Sequence, residues 1–118
     1  MVQSTKRSLQ IAELIWRELA AVLRQYMREP LLNDVIVTHV SVTNDLSRAT
    51  IFFTLLNKNK LNKINKLFSR EVKRLRGIVA KKINLRYMPE MKFIYDSFSE
   101  EKEKLLSLID HLPNDHEN

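Results

Sequence analysis

Along residues 8–28, SLQIAELIWRELAAVLRQYMR, apolar side chains recur at spacings of three and four: Ile11, Ile15, Leu19, Val22 and Tyr26. That period gathers them on one side of an α-helix and leaves Gln10, Arg17, Arg24 and Arg28 on the other. Ser8 or Ser4 is expected to cap the start and Pro30 to help end it, while Trp16 and Met27 read as core or rim packing. The period then changes to two. DVIVTHVSV (34–42) alternates and is β-branched, as a strand requires. TNDLS (43–47) has turn chemistry, and ATIFFTLL (49–56) is a second strand. In that second strand Ala49, Ile51, Phe53 and Leu55 share one face, with Thr50, Phe52, Thr54 and Leu56 on the other. So short a connection predicts an antiparallel hairpin.

After NKNK the helical period returns over residues 61–83. Leu61, Ile64, Phe68, Val72, Leu75 and Val79 form its apolar stripe. Lys63, Lys66, Arg70, Lys73 and Lys81 share the opposite face, with Gly77 in the slot between the last two. A glycine weakens a helix interior by about 1 kcal/mol relative to alanine. The expectation is therefore a kinked pair of helices hinged at Gly77. MKFIYD (91–96) is a third strand led in by Pro89, with Met91, Phe93 and Tyr95 on one face. Residues 97–112, SFSEEKEKLLSLIDHL, predict a last helix with Ser97 and Glu100 at capping-box spacing. The order is helix, strand, strand, helix–kink–helix, strand, helix, an α+β layer with helices packed on a three-stranded sheet. Residues 1–112 read as one domain and 113–118 as a short polar tail.

Composition narrows the class. A chain of 118 residues, 44% apolar, can bury one modest core. It holds no cysteine, which removes disulfides and thiolate metal sites and fits a reducing, cytoplasmic setting. No apolar run approaches the roughly 20 residues that span a bilayer, and MVQSTKRSLQ lacks the apolar block of a signal peptide.

Charge changes the picture more. The formal net charge is +6, and it is unevenly distributed. Residues 58–86 hold eleven basic side chains against one acid, Glu71. Residues 1–57 hold six basic and five acidic, and 87–118 hold three basic and eight acidic. A solvated lysine-rich helix usually carries compensating Glu at i±4, and this one hardly does. The concentration is the footprint of a polyanion binder. The expected contacts to such a polyanion are Lys63, Lys66, Arg70, Lys73, Arg74, Arg76, Lys81, Lys82 and Arg86, which the resemblance given below makes RNA contacts. Arg7, Arg17, Arg24 and Arg28 are either an extension of that surface or a solvated face. Phe52, Phe53, Phe68 and Phe93 are assigned to the core, leaving Tyr87 as the aromatic to weigh between base contact and a rim role.

The words IAELIWRELAAVLRQYMREP, VTHVSVTNDLSRATIFFTLL and LRGIVAKKINLRYMPEMKFIYDS together resemble the ribosome-binding factor A family over roughly residues 5 to 112. Asp45-Leu46-Ser47 and Leu85-Arg86-Tyr87-Met88-Pro89-Glu90-Met91 are the most specific pieces. The resemblance implies a type II KH-like fold in which a helix–kink–helix packs on a three-stranded sheet. It also implies a non-enzymatic bacterial factor that binds the immature 30S subunit and assists late maturation of the 5′ end of 16S rRNA. No cofactor or metal is expected, and the free protein is expected to be monomeric. An ordinary KH module clamps nucleotides with a GxxG loop, which a chain with one glycine cannot build. Where similar proteins often carry Ala-Ala-Gly at the kink, this chain has Glu71-Val72-Lys73, so the bend is placed at Gly77 or one turn earlier. NKNKLNK is short and basic where relatives are often longer and acidic.

Other classes fare worse. His39, His111 and His116 are scattered, and no HExxH, H-x-E…CxxC or phosphate-cradling glycine loop exists. Asp34, Asp45 and Asp96 stand at strand ends, where turn and capping roles predominate. A general KH-like RNA- or DNA-binding protein needs the same basic face and is the main alternative. An adaptor docking through its acidic C-terminal helix is a third reading.

Overall fold

The computed structural model describes residues 5–25, 29–97, 105, 106 and 108. The elements are α1 (Lys6–Gln25), β1 (Val35–Val42), β2 (Arg48–Leu55), α2 (Leu61–Ile83) and β3 (Glu90–Tyr95), with 3-10 turns at Pro30–Asp34 and Lys58–Lys60. Residues 105, 106 and 108 are helical, in keeping with the terminal helix expected at 97–112. The rest of that helix beyond Ser97, its Glu100 cap, the 113–118 tail, and Tyr26, Met27 and Arg28 lie outside the described residues.

β2 is the central strand. It pairs antiparallel with β1 and parallel with β3, giving the order β1-β2-β3. The tight connection 43–47 permits only the antiparallel partner, whereas the parallel one needs a long crossover, which α2 supplies. One sheet face is apolar. Ala49, Ile51, Phe53 and Leu55 of β2 are all 4% exposed or less. They pack with Val40, Val42 and Met91 beneath Ile11, Ile15, Leu19 and Val22 of α1 and Ile64, Phe68, Leu75 and Val79 of α2. Phe68 stacks on Phe93 with centroids 4.0 Å apart and meets Phe53 edge-on at 5.1 Å.

Two sequence expectations need correcting. The cap of α1 is Thr5. Its hydroxyl accepts the Ser8 N–H at 3.0 Å, while the Ser8 hydroxyl, buried, donates to the Thr5 carbonyl at 2.9 Å. A cap stands two or three residues before the N–H it satisfies, and with Thr5 in that place Ser8 is a capped residue here. Phe52 is not in the core either. It faces the other side of the sheet and stacks on His39 at 6.0 Å, with Trp16 edge-on to His39 at 6.3 Å. The period of two in β2 reverses every neighbour, so Phe52 and Phe53 cannot both point inward.

The strand ends are pinned as turn chemistry demands. A bulge in β1 lies between Val37 and His39, and Thr38 within it donates to the Asp96 carboxylate at 2.7 Å. Lys60 pairs with Asp34 at 2.8 Å. Asp45 organises the hairpin turn described below.

Candidate nucleic-acid interface

Residues 61–83 form one continuous helix where a kinked pair was expected, and Gly77 lies within it. At about 100° per residue, Lys63, Lys66, Arg70, Lys73, Arg74 and Lys81 fall within one arc of roughly 100°. All six are exposed, and the arc lies opposite the buried side formed by Ile64, Phe68, Leu75 and Val79. From Lys63 to Lys81 the stripe is about 27 Å long. Gly77 sits near its centre, exposed, with no positive φ, and a Cβ added there would meet nothing within 4 Å. The glycine therefore answers to no internal packing demand.

The lone acid Glu71 lies beside this stripe, 3.6 Å from Arg70 and 3.8 Å from Arg74. Exposed pairs of this kind contribute under about 1 kcal/mol and leave both cations in water. The remaining expected contacts fall elsewhere. Lys82, in the last turn, is exposed but lies about 80° beyond Arg74, outside the arc. Arg76 turns to the opposite flank, where its guanidinium donates to the Pro89 carbonyl at 3.0 Å and the Met88 carbonyl at 2.6 Å. Those carbonyls belong to the chain entering β3 and have no strand partner there, so Arg76 clamps the loop. Sequence spacing gave no hint of this, because the acceptors are backbone atoms brought in by the crossover.

That loop is held at three points. Asn84 ends α2 in the left-handed conformation, φ 52°, its N–H bonded to Ala80 at 3.0 Å, a role asparagine tolerates. Leu85 and Met88 pack on the core, and Pro89 is fully buried. With these turned inward, Arg86 and Tyr87 are turned outward. Tyr87 is 76% exposed, with the Arg86 guanidinium 5.3 Å from its ring centroid.

The hairpin turn approaches the same place. Leu46 adopts φ 63°, an uncommon conformation for a leucine, while its side chain packs on the core. The turn is braced by Asp45 Oδ1, which accepts from the Thr43 hydroxyl at 2.7 Å, the Ser47 hydroxyl at 2.7 Å and the Ser47 N–H at 3.0 Å. These bonds, the Thr43 hydroxyl foremost, hold the Asp45 carboxyl at a pKa of about 2, below its ordinary 3.8. The Thr5 N–H donates to Asn44 at 3.1 Å, tying the start of α1 to the turn. As a result Arg7, Ile11, Asp45, Leu46, Leu85, Arg86 and Tyr87 line a common cleft of about 210 Å³.

Among the described residues no group of three His, Cys, Asp or Glu side chains could hold a metal ion. No helix among them is long and apolar enough to cross a membrane. The geometry offers cations along one face of a helix and an exposed aromatic just beyond its end, which suits binding of a polyanion.

Comparison with known proteins agrees with the order of these elements. The family model described as ribosome-binding factor A matches residues 7–109. The ribosome-binding factor A of Legionella pneumophila is 36% identical over 113 residues, covering 95% of this chain and 91% of the relative. That of Shewanella baltica is 36% identical over 117 residues, covering 97% and 74%. Among solved structures, the crystal structure of ribosome-binding factor A from Thermus thermophilus superposes with a TM-score of 0.66 at 19% identity, covering 75% of this chain and 94% of that one. A homology model of the Thermus thermophilus factor, fitted into the cryo-electron-microscopy map of its complex with the 30S subunit, gives 0.55 at 19% identity, covering 76% and 91%. The fold is thus the KH-like fold of these structures. With a family match across residues 7–109 and relatives identical at 36% of aligned positions, this chain is a member of the ribosome-binding factor A family.

Proposed function

We propose that the protein is a bacterial ribosome assembly factor that acts in the cytoplasm. It binds the immature 30S subunit and assists late maturation of the 5′ end of 16S rRNA, without catalysis of its own. Support comes from family membership and from the relative fitted into a 30S complex. The carrying observation is the arc of Lys63, Lys66, Arg70, Lys73, Arg74 and Lys81, offset by Glu71 alone. Contacts from such a stripe go to phosphates, so they supply affinity and orientation and leave sequence to be read by shape. Lys82 and Arg86 extend the surface at its far end. Arg76 serves mainly by holding the loop that presents Arg86.

Gly77 fits this reading as the place where a folded RNA approaches the helix backbone and where α2 can flex. An exposed glycine in the middle of the cationic arc offers no side chain to hold a phosphate away.

Reversing Lys73, Arg74 and Lys81 to Glu tests the surface. Co-sedimentation with immature small subunits is expected to be lost while the circular-dichroism spectrum is retained, and undiminished co-sedimentation refutes the proposal. Cells lacking the protein are expected to accumulate small subunits whose 16S rRNA carries unprocessed 5′ ends. Equal affinity for duplex DNA and for small subunits at near-physiological salt would favour a general nucleic-acid binder instead.

A further inference from the structure

We propose that the cleft formed by Arg7, Leu46, Leu85, Arg86 and Tyr87 captures a single unpaired RNA nucleotide, its base stacking on Tyr87 and its flanking phosphates meeting Arg7 and Arg86. The inference rests on the RNA-binding reading above and adds a second, base-dependent contact to it.

Three observations carry it. The first is Tyr87, an aromatic ring 76% in solvent on a loop that is otherwise tightly held. Asn84, the Arg76 clamp, Leu85 and Met88 fix the backbone on either side, so the ring is presented by a rigid support. A pre-positioned ring loses little conformational freedom on stacking. The second is charge. Arg86 lies 5.3 Å from the ring centroid, and Arg7 enters from the first turn of α1, which the Thr5–Asn44 bond joins to the hairpin turn. Two cations around one exposed ring form the pairing used for single-stranded nucleic acid, where any base has a face to stack and every linkage has a charge.

The third is size. At about 210 Å³ the cleft is smaller than the roughly 300–1,000 Å³ of sites that enclose a free small molecule. It suits one group inserted from a polymer held elsewhere, and α2 provides the holding surface. Asp45 lies in the same wall, with Oδ1 engaged by Thr43 and Ser47, which keeps the turn in shape.

The test uses the full chain and a 12-nucleotide oligoadenylate at low salt, with an abasic strand of the same length as control. Replacing Tyr87 with alanine is expected to weaken oligoadenylate binding by about tenfold or more. It should leave the salt slope and the abasic strand's affinity unchanged, and Tyr87→Phe should retain wild-type binding. Arg7→Gln and Arg86→Gln are each expected to lower the salt slope by about 0.7. Thermal melts of Tyr87→Ala should match wild type, because the ring is exposed. Wild-type affinity in Tyr87→Ala, an equal loss on the abasic strand, or no binding of oligoadenylate by the wild-type chain overturns the inference. If Tyr87→Ala binds normally while reversal of the α2 charges abolishes subunit binding, the assembly-factor reading stands and the nucleotide cleft alone falls.

Discussion

Removing charge from α2 without reversing it gives a graded prediction. The triple variant Lys66→Gln, Lys73→Gln and Lys81→Gln keeps residues of similar helix propensity at exposed positions, so α2 should fold as before. Six cations lie in the arc and Glu71 offsets one of them, leaving about five to neutralise phosphates. Each phosphate adds about 0.7 to 0.9 to the slope of log affinity against log salt, so the wild-type slope should be about −4. Affinity should then drop a few hundredfold between about 50 and 200 mM salt. With three lysines gone, about two phosphates remain neutralised, the slope becomes about −2, and the same salt interval costs only about tenfold. The assay is a titration of small subunits by sedimentation or filter binding at four or five salt concentrations. A variant whose slope is unchanged from that of the wild type, with an unaltered melt, would show that these lysines do not face phosphate and would refute the argument.

Four further outcomes follow from particular contacts. Gly77→Ala should raise stability by about 1 kcal/mol in urea unfolding, since the added Cβ meets nothing within 4 Å and alanine is the better helix former; weaker subunit binding by the same variant would mark the glycine as functional. Arg76→Gln should cost about 1–2 kcal/mol of stability by freeing the Met88 and Pro89 carbonyls, with raised amide exchange across residues 84–90. Phe68→Ala, which removes a buried ring stacked at 4.0 Å on Phe93, should cost about 3–5 kcal/mol in the same urea assay. Asp45 binds its proton less readily in the folded chain than in the unfolded one, so its contribution is complete above about pH 4 and is lost as pH falls toward 2. Asp45→Asn should flatten the acid limb of the stability profile in that window, and an identical limb in both proteins would contradict the role given to Thr43 and Ser47.

The element types were legible because each period is a local property. The three-and-four spacing of Ile11, Ile15, Leu19 and Val22, and of Ile64, Phe68, Leu75 and Val79, fixes which side of each helix is buried. The same periodicity assembles the basic arc, since residues that do not face the core must share the rest of the cylinder. The candidate surface could therefore be named from sequence in its main part. Arg76 escaped, because its partners are carbonyls twelve and thirteen residues away, brought near only by the crossover into β3. Thr5 escaped as well, since serine and threonine near a helix start are interchangeable until the register of the first turn is known.

Sequence by itself determined the order of helices and strands, the inward faces, the hairpin and the basic stripe, since all of these depend on spacings of a few residues. Tertiary structure decided that β3 pairs parallel to β2 and that Phe52 meets His39 outside the core. It also gathered Arg7, Leu46 and Tyr87, which lie far apart along the chain, around one cleft. The physical reason is reach: periodicity records which way a side chain points, whereas its neighbour across the fold depends on how whole elements close against a shared core.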